Sequence, residues 1–165
     1  SAYNVRVPRA LKVSEANSYY PGGDIVWRGE SLGDRHQQVA NIFRDSLEEL
    51  REQPQSGVPA TLDIELVRFH ALTEKARYTI GGVHALTFDL TLRDPQTGQA
   101  LGPTRRVKAN LEAFGGARAI AAEQNGITQR FRITNHLVQV FRDELTRPGG
   151  HRNAATGVMG LINEL

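Results

Sequence analysis

Apolar and polar positions alternate along much of the chain, and the period of that alternation predicts most of its elements. Tyr3, Val5 and Val7 alternate with Asn4 and Arg6, the period-2 pattern of a strand. Pro8 has no N–H to donate, so this strand belongs at an edge or breaks there. A cluster of turn formers, Ser14 to Asp24, separates it from a short β-prone run, Asp24 to Arg28. That run contains the single tryptophan, Trp27, expected in the core or under a lid.

From Asp34 to Glu52 the period changes to that of a helix. Val39, Ile42, Phe43, Leu47 and Leu50 recur at three- and four-residue spacing, which makes one apolar stripe. Asp34 suits the N-cap, because its carboxylate can accept an orphan backbone N–H. Pro54 and Gly57 close the helix.

Thr61 to Ala71 reads as the next strand. Leu62, Ile64 and Leu66 share a face, but then Val67 and Phe69 are apolar while Arg68 and His70 take the core parity. A bulge would restore the register, and otherwise the strand leaves the core there. Thr73 to Gly82 connects to a clean strand, Val83 to Arg93, with Leu86, Phe88, Leu90 and Leu92 on one face and His84 at the same parity. Asp94-Pro95-Gln96-Thr97-Gly98 is a turn. Thr104 to Phe114 alternates again, completing an antiparallel meander with one wet face. A short helix over Ala117 to Glu123 follows. A second long helix, Ile127 to Leu145, has Thr128 as N-cap and Phe131, Ile133, Leu137, Val140, Phe141 and Leu145 as its buried stripe. Arg147-Pro148-Gly149-Gly150 stops it, and 148–165 reads as a mobile or loosely docked tail.

Two amphipathic helices need one apolar sheet face to cover. The expected fold is therefore α+β, a two-layer sandwich: a mainly antiparallel sheet of about four strands with two long helices on one face. At 165 residues a single domain over 1–165 is expected.

Composition narrows the chemistry. The chain has no cysteine, which excludes disulfides, thiolate zinc sites and thiol nucleophiles. The net charge is +2, and the basic residues are scattered, unlike a nucleic-acid footprint. Only Lys12, Lys75 and Lys108 of the 20 basic residues are lysine, a bias that a GC-rich genome explains as readily as function. No apolar run approaches the ~18 residues of a membrane span. No GxSxG, SxxK or HExxH motif occurs. The Gly-Gly pairs at 22, 81, 115 and 149 lack phosphate-loop spacing. Phe114 to Arg118 opens onto a helix start, where backbone amides can receive an anion, although chain reversal explains the glycines as well.

The densest unusual chemistry lies at one end of the hairpin between 67 and 98. Arg68, His70, Arg77 and His84 are the candidate ligand-binding residues, with Lys75 and Tyr78 nearby. Arginine forks bind carboxylate or phosphate bidentately. Ion pairs with Asp63, Glu65 or Glu74 would instead leave an ordinary solvated loop. His70 and His84 could also seed a metal site, with Glu74 or Asp24 as third ligand, but no spacing requires it, and no metal or other cofactor is expected. Backbone-bonded, structural imidazoles are the plainer reading.

Four segments carry a resemblance: VSEANSYYPGGDIVWRGE (13–30), GDRHQQV (33–39), RFHALTEKARYTIGGVHALTFDLTLRDPQTG (68–98) and AFGGARAIAAEQNGITQRFRIT (113–134). They resemble a family of uncharacterised alphaproteobacterial proteins, many of which look like exported lipoproteins. The resemblance implies a leader and a lipidated cysteine upstream of Ser1, in keeping with a start that lacks methionine. The element order also looks like that of small α+β domains of envelope lipoproteins, including transport-auxiliary components, an analogy of fold alone.

The function expected first is a non-enzymatic cell-envelope binding or scaffold module, periplasmic or outer-membrane-anchored, whose partner is another envelope protein or an envelope polymer. Membrane contact would come only through the upstream anchor. A cytoplasmic placement fits the same composition. The alternatives are a small-molecule or anion-binding module with its pocket at the 68–84 hairpin end, and a metal-dependent hydrolase using His70 and His84.

Overall fold

The computed structural model describes residues 2–54 and 59–146. Gly57, the 147–150 stop, His151 and the 148–165 tail lie outside the described residues. The elements run β1 (Tyr3–Arg6), β2 (Ile25–Val26), α1 (Arg35–Arg51), β3 (Thr61–His70), α2 (Glu74–Arg77), β4 (Gly82–Arg93), β5 (Arg105–Lys108), β6 (Leu111–Ala113), α3 (Gly116–Gln124) and α4 (Gln129–Thr146).

Among the described residues the sheet has six strands in four positions. β3 and β4 form its centre, an antiparallel pair running from Thr61↔Arg93 to His70↔Ala85. β1 and β2 share the outer edge of β3 and both run parallel to it. β5 and β6 share the far edge of β4, both antiparallel. The fold is the expected α+β type, with the helices over one apolar face.

That face has an aromatic centre. Phe43 of α1 packs edge-on to Phe88 of β4 with ring centroids 5.5 Å apart, and Phe141 of α4 lies 5.3 Å from Phe88. Trp27 meets Phe69 edge-on at 5.8 Å and is fully buried, while its Nε1–H donates to Glu30 Oε2. Burying such rings contributes about 1.5–3 kcal/mol each by area. Val39, Ile42, Phe43, Leu47 and Leu50 are all in this core, as the stripe on α1 requires.

The caps follow the sequence. Asp34 accepts from Gln37 N at 3.2 Å, and Arg9 holds the same carboxylate with a two-point fork at 2.9 and 2.7 Å. Thr128 Oγ1 accepts from Phe131 N at the start of α4. In the 94–98 turn, Asp94 Oδ1 accepts from Gln96 N and Thr97 N, and Gly98 takes φ +74°.

Two expectations change. The strand read from Thr104 to Phe114 is interrupted at Ala109-Asn110, between β5 and β6. Ala109 N donates to Leu86 O, but Leu86 N is satisfied by the Asn110 side chain, Oδ1, at 3.1 Å. A side-chain carbonyl has taken a rung of the ladder, so the backbone can bend there. Phe131, placed in the buried stripe of α4, is 51% exposed. At about 100° per residue it lies ~160° around the helix from Ile133, away from the seam that Ile133, Leu137 and Val140 make.

The parity change in β3 is resolved by a bulge. The register shifts between Leu66 and Arg68, leaving Val67 as the extra residue. Phe69 thereby faces the core with Leu86, and Arg68 and His70 turn to the other side of the sheet.

Candidate functional site

The register divides the four candidate residues into two pairs. Phe69 lies opposite Leu86 and His70 opposite Ala85. Side chains alternate along a strand, so His84 shares the helix-covered face with Leu86, and His70 points to the opposite face.

On that opposite face Arg68 Nη2 is 3.3 Å from His70 Nδ1, and His70 Nε2 is 2.5 Å from Gly23 O. Arginine can only donate, so Nδ1 accepts and Nε2 carries the proton it gives to Gly23. Burial lowers the pKa of His70, with Arg68 adding to the shift and the Gly23 contact opposing it. This imidazole fastens the 14–24 loop to the end of β3. Arg28, paired with Glu74 at 2.6 Å, and Thr73, donating to Ser18 O at 2.6 Å, tie down the same loop.

His84 sits beneath the helices, 1% exposed. Its Nδ1 accepts from Leu72 N at 3.3 Å, which leaves Nε2 to carry the proton. Burial, then the charges of Arg132, Arg77 and His136, lower its pKa to about 3. The ring is therefore neutral at physiological pH and offers a donor.

His70 and His84 cannot share a metal from opposite faces of the sheet, which removes the geometry the hydrolase reading needs. The proposed third ligands are engaged elsewhere: Asp24 Oδ2 accepts from Lys12 N, and Glu74 pairs with Arg28. Among the described residues, no group of three or more histidines and carboxylates is placed to hold a metal ion.

Arg77 and His84 do meet, in a cavity closed by α3 and α4. Phe114, Glu123, Gln129 and Arg132 complete its polar and aromatic lining. With its mouth it measures about 260 Å³, but its innermost free space is only about 10 Å³. That is room for about one water molecule or one ligand oxygen. A larger cavity, about 470 Å³ with its mouth, lies under Leu101 to Pro103, but its charged residues, Arg105 and Glu144, pair with each other at 3.1 Å.

A backbone contact beside the smaller cavity brings part of its lining together. Gly81, at φ +72°, abuts Gly115, where a Cβ would fall 2.6 Å from the Gly81 Cα. This contact presses the start of β4 against the start of α3, so Arg77, His84 and Phe114 converge. Arg77 Nε lies 3.1 Å from Glu123 Oε1, but its N–H is not aimed there and is buried without a hydrogen bond. Tyr78 Oη links the two, accepting from Arg77 Nη2 and donating to Glu123 Oε2.

Two features remain unbalanced. Arg118 and Arg132 place their guanidinium carbons 4.0 and 3.7 Å from the centroid of the Phe114 ring. Both guanidinium groups therefore pack on the one ring. Among the described residues neither has a carboxylate within ion-pair distance. Burial and then Arg118 lower the pKa of Arg132, with Glu112 opposing. Beside them Gln129 is 8% exposed, and both atoms of its carboxamide are buried without a partner. An unsatisfied buried amide costs about 1–3 kcal/mol, so natural proteins usually satisfy it with water or ligand.

Sequence reasoning flagged Arg77, His84 and the 114–118 helix start, but not Gln129 or Arg132. Those two stand three residues apart on α4 and read as part of its polar face. Only the packing of α4 against β4 turns them inward. Lys75, also flagged, is exposed, with its ammonium 4.8 Å over the Tyr19 ring.

No helix among the described residues is long and apolar enough to cross a membrane. No curated protein matches the chain. The crystal structure of a "putative lipoprotein" from Caulobacter crescentus aligns with 62% of this chain and 77% of its own, at 17% identity and a TM-score of 0.37, a likeness too slight to carry an argument. The match of a family model is far more extensive: it takes in residues 1–161, and the chain belongs to that family, a family of unknown function (DUF6778).

Proposed function

We propose that the chain is a non-enzymatic binding module of the cell envelope, and that it receives an anionic group in the cavity between β4, α3 and α4. The carrying observation is the Gln129 carboxamide, buried and unpartnered beside two arginines that lack carboxylate partners. A negatively charged oxygen entering there meets Arg132 and two neutral donors, Gln129 Nε2 and the Nε2–H of His84. Charge-assisted hydrogen bonds of this kind are about twice as strong as neutral ones.

The test is an NMR titration of 15N-labelled protein with sodium acetate, phosphate and sulfate at constant ionic strength. The side-chain amide signals of Gln129 should shift saturably, and Arg132→Ala should abolish the shift. Signals that stay unmoved with every anion would sink this reading.

The envelope part rests on the likeness of segments 13–30, 33–39, 68–98 and 113–134 to exported alphaproteobacterial lipoproteins. In this reading a lipid anchor upstream of Ser1 holds the module at the membrane, in the periplasm or on the outer membrane, and its partner is another envelope protein. Fatty-acid labelling of the full-length gene product, followed by fractionation, decides it. Unlabelled protein in the cytosol would refute the placement and leave the anion site standing.

A further inference from the structure

The Gln129 carboxamide presents a donor and an acceptor side by side, both buried and unpartnered. Acetate or sulfate can satisfy only the donor, because neither has an acidic hydrogen to give. An occupant that satisfies both must bring an acceptor and an N–H or O–H donor close together. The end of a polypeptide does this: its α-carboxylate lies one residue's width from its last amide N–H.

Charge and size favour the same occupant. Glu123 offsets Arg77, so the excess positive charge sits on Arg118 and Arg132. The innermost space of about 10 Å³ takes about one ligand oxygen, with the rest of the group at the mouth. At the cavity, Ile127 lines the wall and Tyr78 bonds to Glu123, another wall residue. Both are among the exposed large apolar side chains. Exposed apolar groups gathered at the mouth of a polar cavity are a feature of interaction sites.

Resting on the anion-site reading above, we propose that the cavity captures the C-terminus of a partner polypeptide. Its carboxylate meets Arg132, His84 Nε2–H and Gln129 Nε2. Its last amide N–H donates to Gln129 Oε1. Its terminal side chain, an apolar one, lies against Ile127 and Tyr78. Backbone-level capture of a chain end is a known mode of peptide recognition.

The experiment uses N-acetylated tripeptides ending in Ala, Val, Leu or Phe, each in three forms: free acid, C-terminal amide, and free acid N-methylated at the last peptide nitrogen. Sodium acetate is the fourth probe. Binding is read in 15N–1H spectra from the Gln129 side-chain signals and, in both the parent and Gln129→Ala, from the backbone amides of 82–86 and 127–133. At least one free acid should bind roughly tenfold or more tighter than its amide, its N-methyl form and acetate. In Gln129→Ala, whose fold is checked by its melting curve, the free acid should bind no better than its N-methyl form. Acetate binding as tightly as every peptide would overturn the inference and keep the anion site. So would an amide that binds as tightly as its acid. Silence from all four probes would overturn both.

Discussion

Below the ordinary histidine pKa of 6.5, an unfolded chain protonates His84, whereas the native ring, buried beside Arg77, Arg132 and His136, holds its proton affinity down to a pKa of about 3. Between those values the unfolded state binds more protons. Stability from this group is therefore fully present above the unfolded pKa and is lost as pH falls, at up to about 1.4 kcal/mol per unit. From about pH 7.5 to about pH 4.5 the loss is ~2.7 kcal/mol, a large part of the ~5–15 kcal/mol that holds a typical domain. His84→Asn tests this cleanly, because an asparagine Oδ1 can still accept from Leu72 N and has no titrating group. Urea unfolding at each pH, followed by the fluorescence of buried Trp27, yields stability for both proteins. His70, whose pKa burial also lowers, is common to both and cancels in the difference. The gap between the wild type and the variant should move by ~2.7 kcal/mol in favour of the variant across that range, or about 5–10 °C in melting temperature. Two stability curves that stay parallel with pH would refute the buried neutral ring.

Gly115→Ala should cost about 1–3 kcal/mol in a urea melt, because its methyl group would overlap the Gly81 backbone, and it should also weaken any anion response at Gln129. Arg35, 5% exposed, donates to Glu15, to the Glu30 and Ser31 carbonyls and to Gln38. Arg35→Ala should lose about 2 kcal/mol and speed amide exchange across 14–33 more than across β3 and β4. Thr128→Ala removes the cap of α4 and should cost about 1 kcal/mol by calorimetry, whereas Thr128→Asn should restore most of it.

What could be read in advance was local. The stripe on α1, the Asp34 and Thr128 caps and the Asp94–Gly98 turn depend on residues a few positions apart, and each stands where its pattern placed it. The inversion at Val67 announced a bulge because one strand cannot change faces without an extra residue. What escaped was non-local. Alternation in Tyr3–Arg6 marks a strand but carries no information about its partner, so the parallel pairing to β3 was not foreseen. Asn110 looks like any outward polar residue until its side chain replaces a rung at Leu86. The candidate site was half legible for the same reason. Arg77 and His84 stood out near a Gly-Gly turn, but His70 shared their neighbourhood in sequence and not in space. Gln129 and Arg132 come from a helix ~50 residues later, and no spacing rule links them to β4.

The touching backbones of Gly81 and Gly115 set what can vary and what cannot. Because main chain brings Arg77, His84 and Phe114 together, their convergence does not depend on which side chains surround the mouth. Ile127 can therefore be exchanged without disturbing the polar groups beside it, whereas Tyr78 joins Arg77 to Glu123 and cannot. Such a scaffold can be retargeted: one invariant anchor for a charged group, and a neighbouring position free to change with whatever it must recognise.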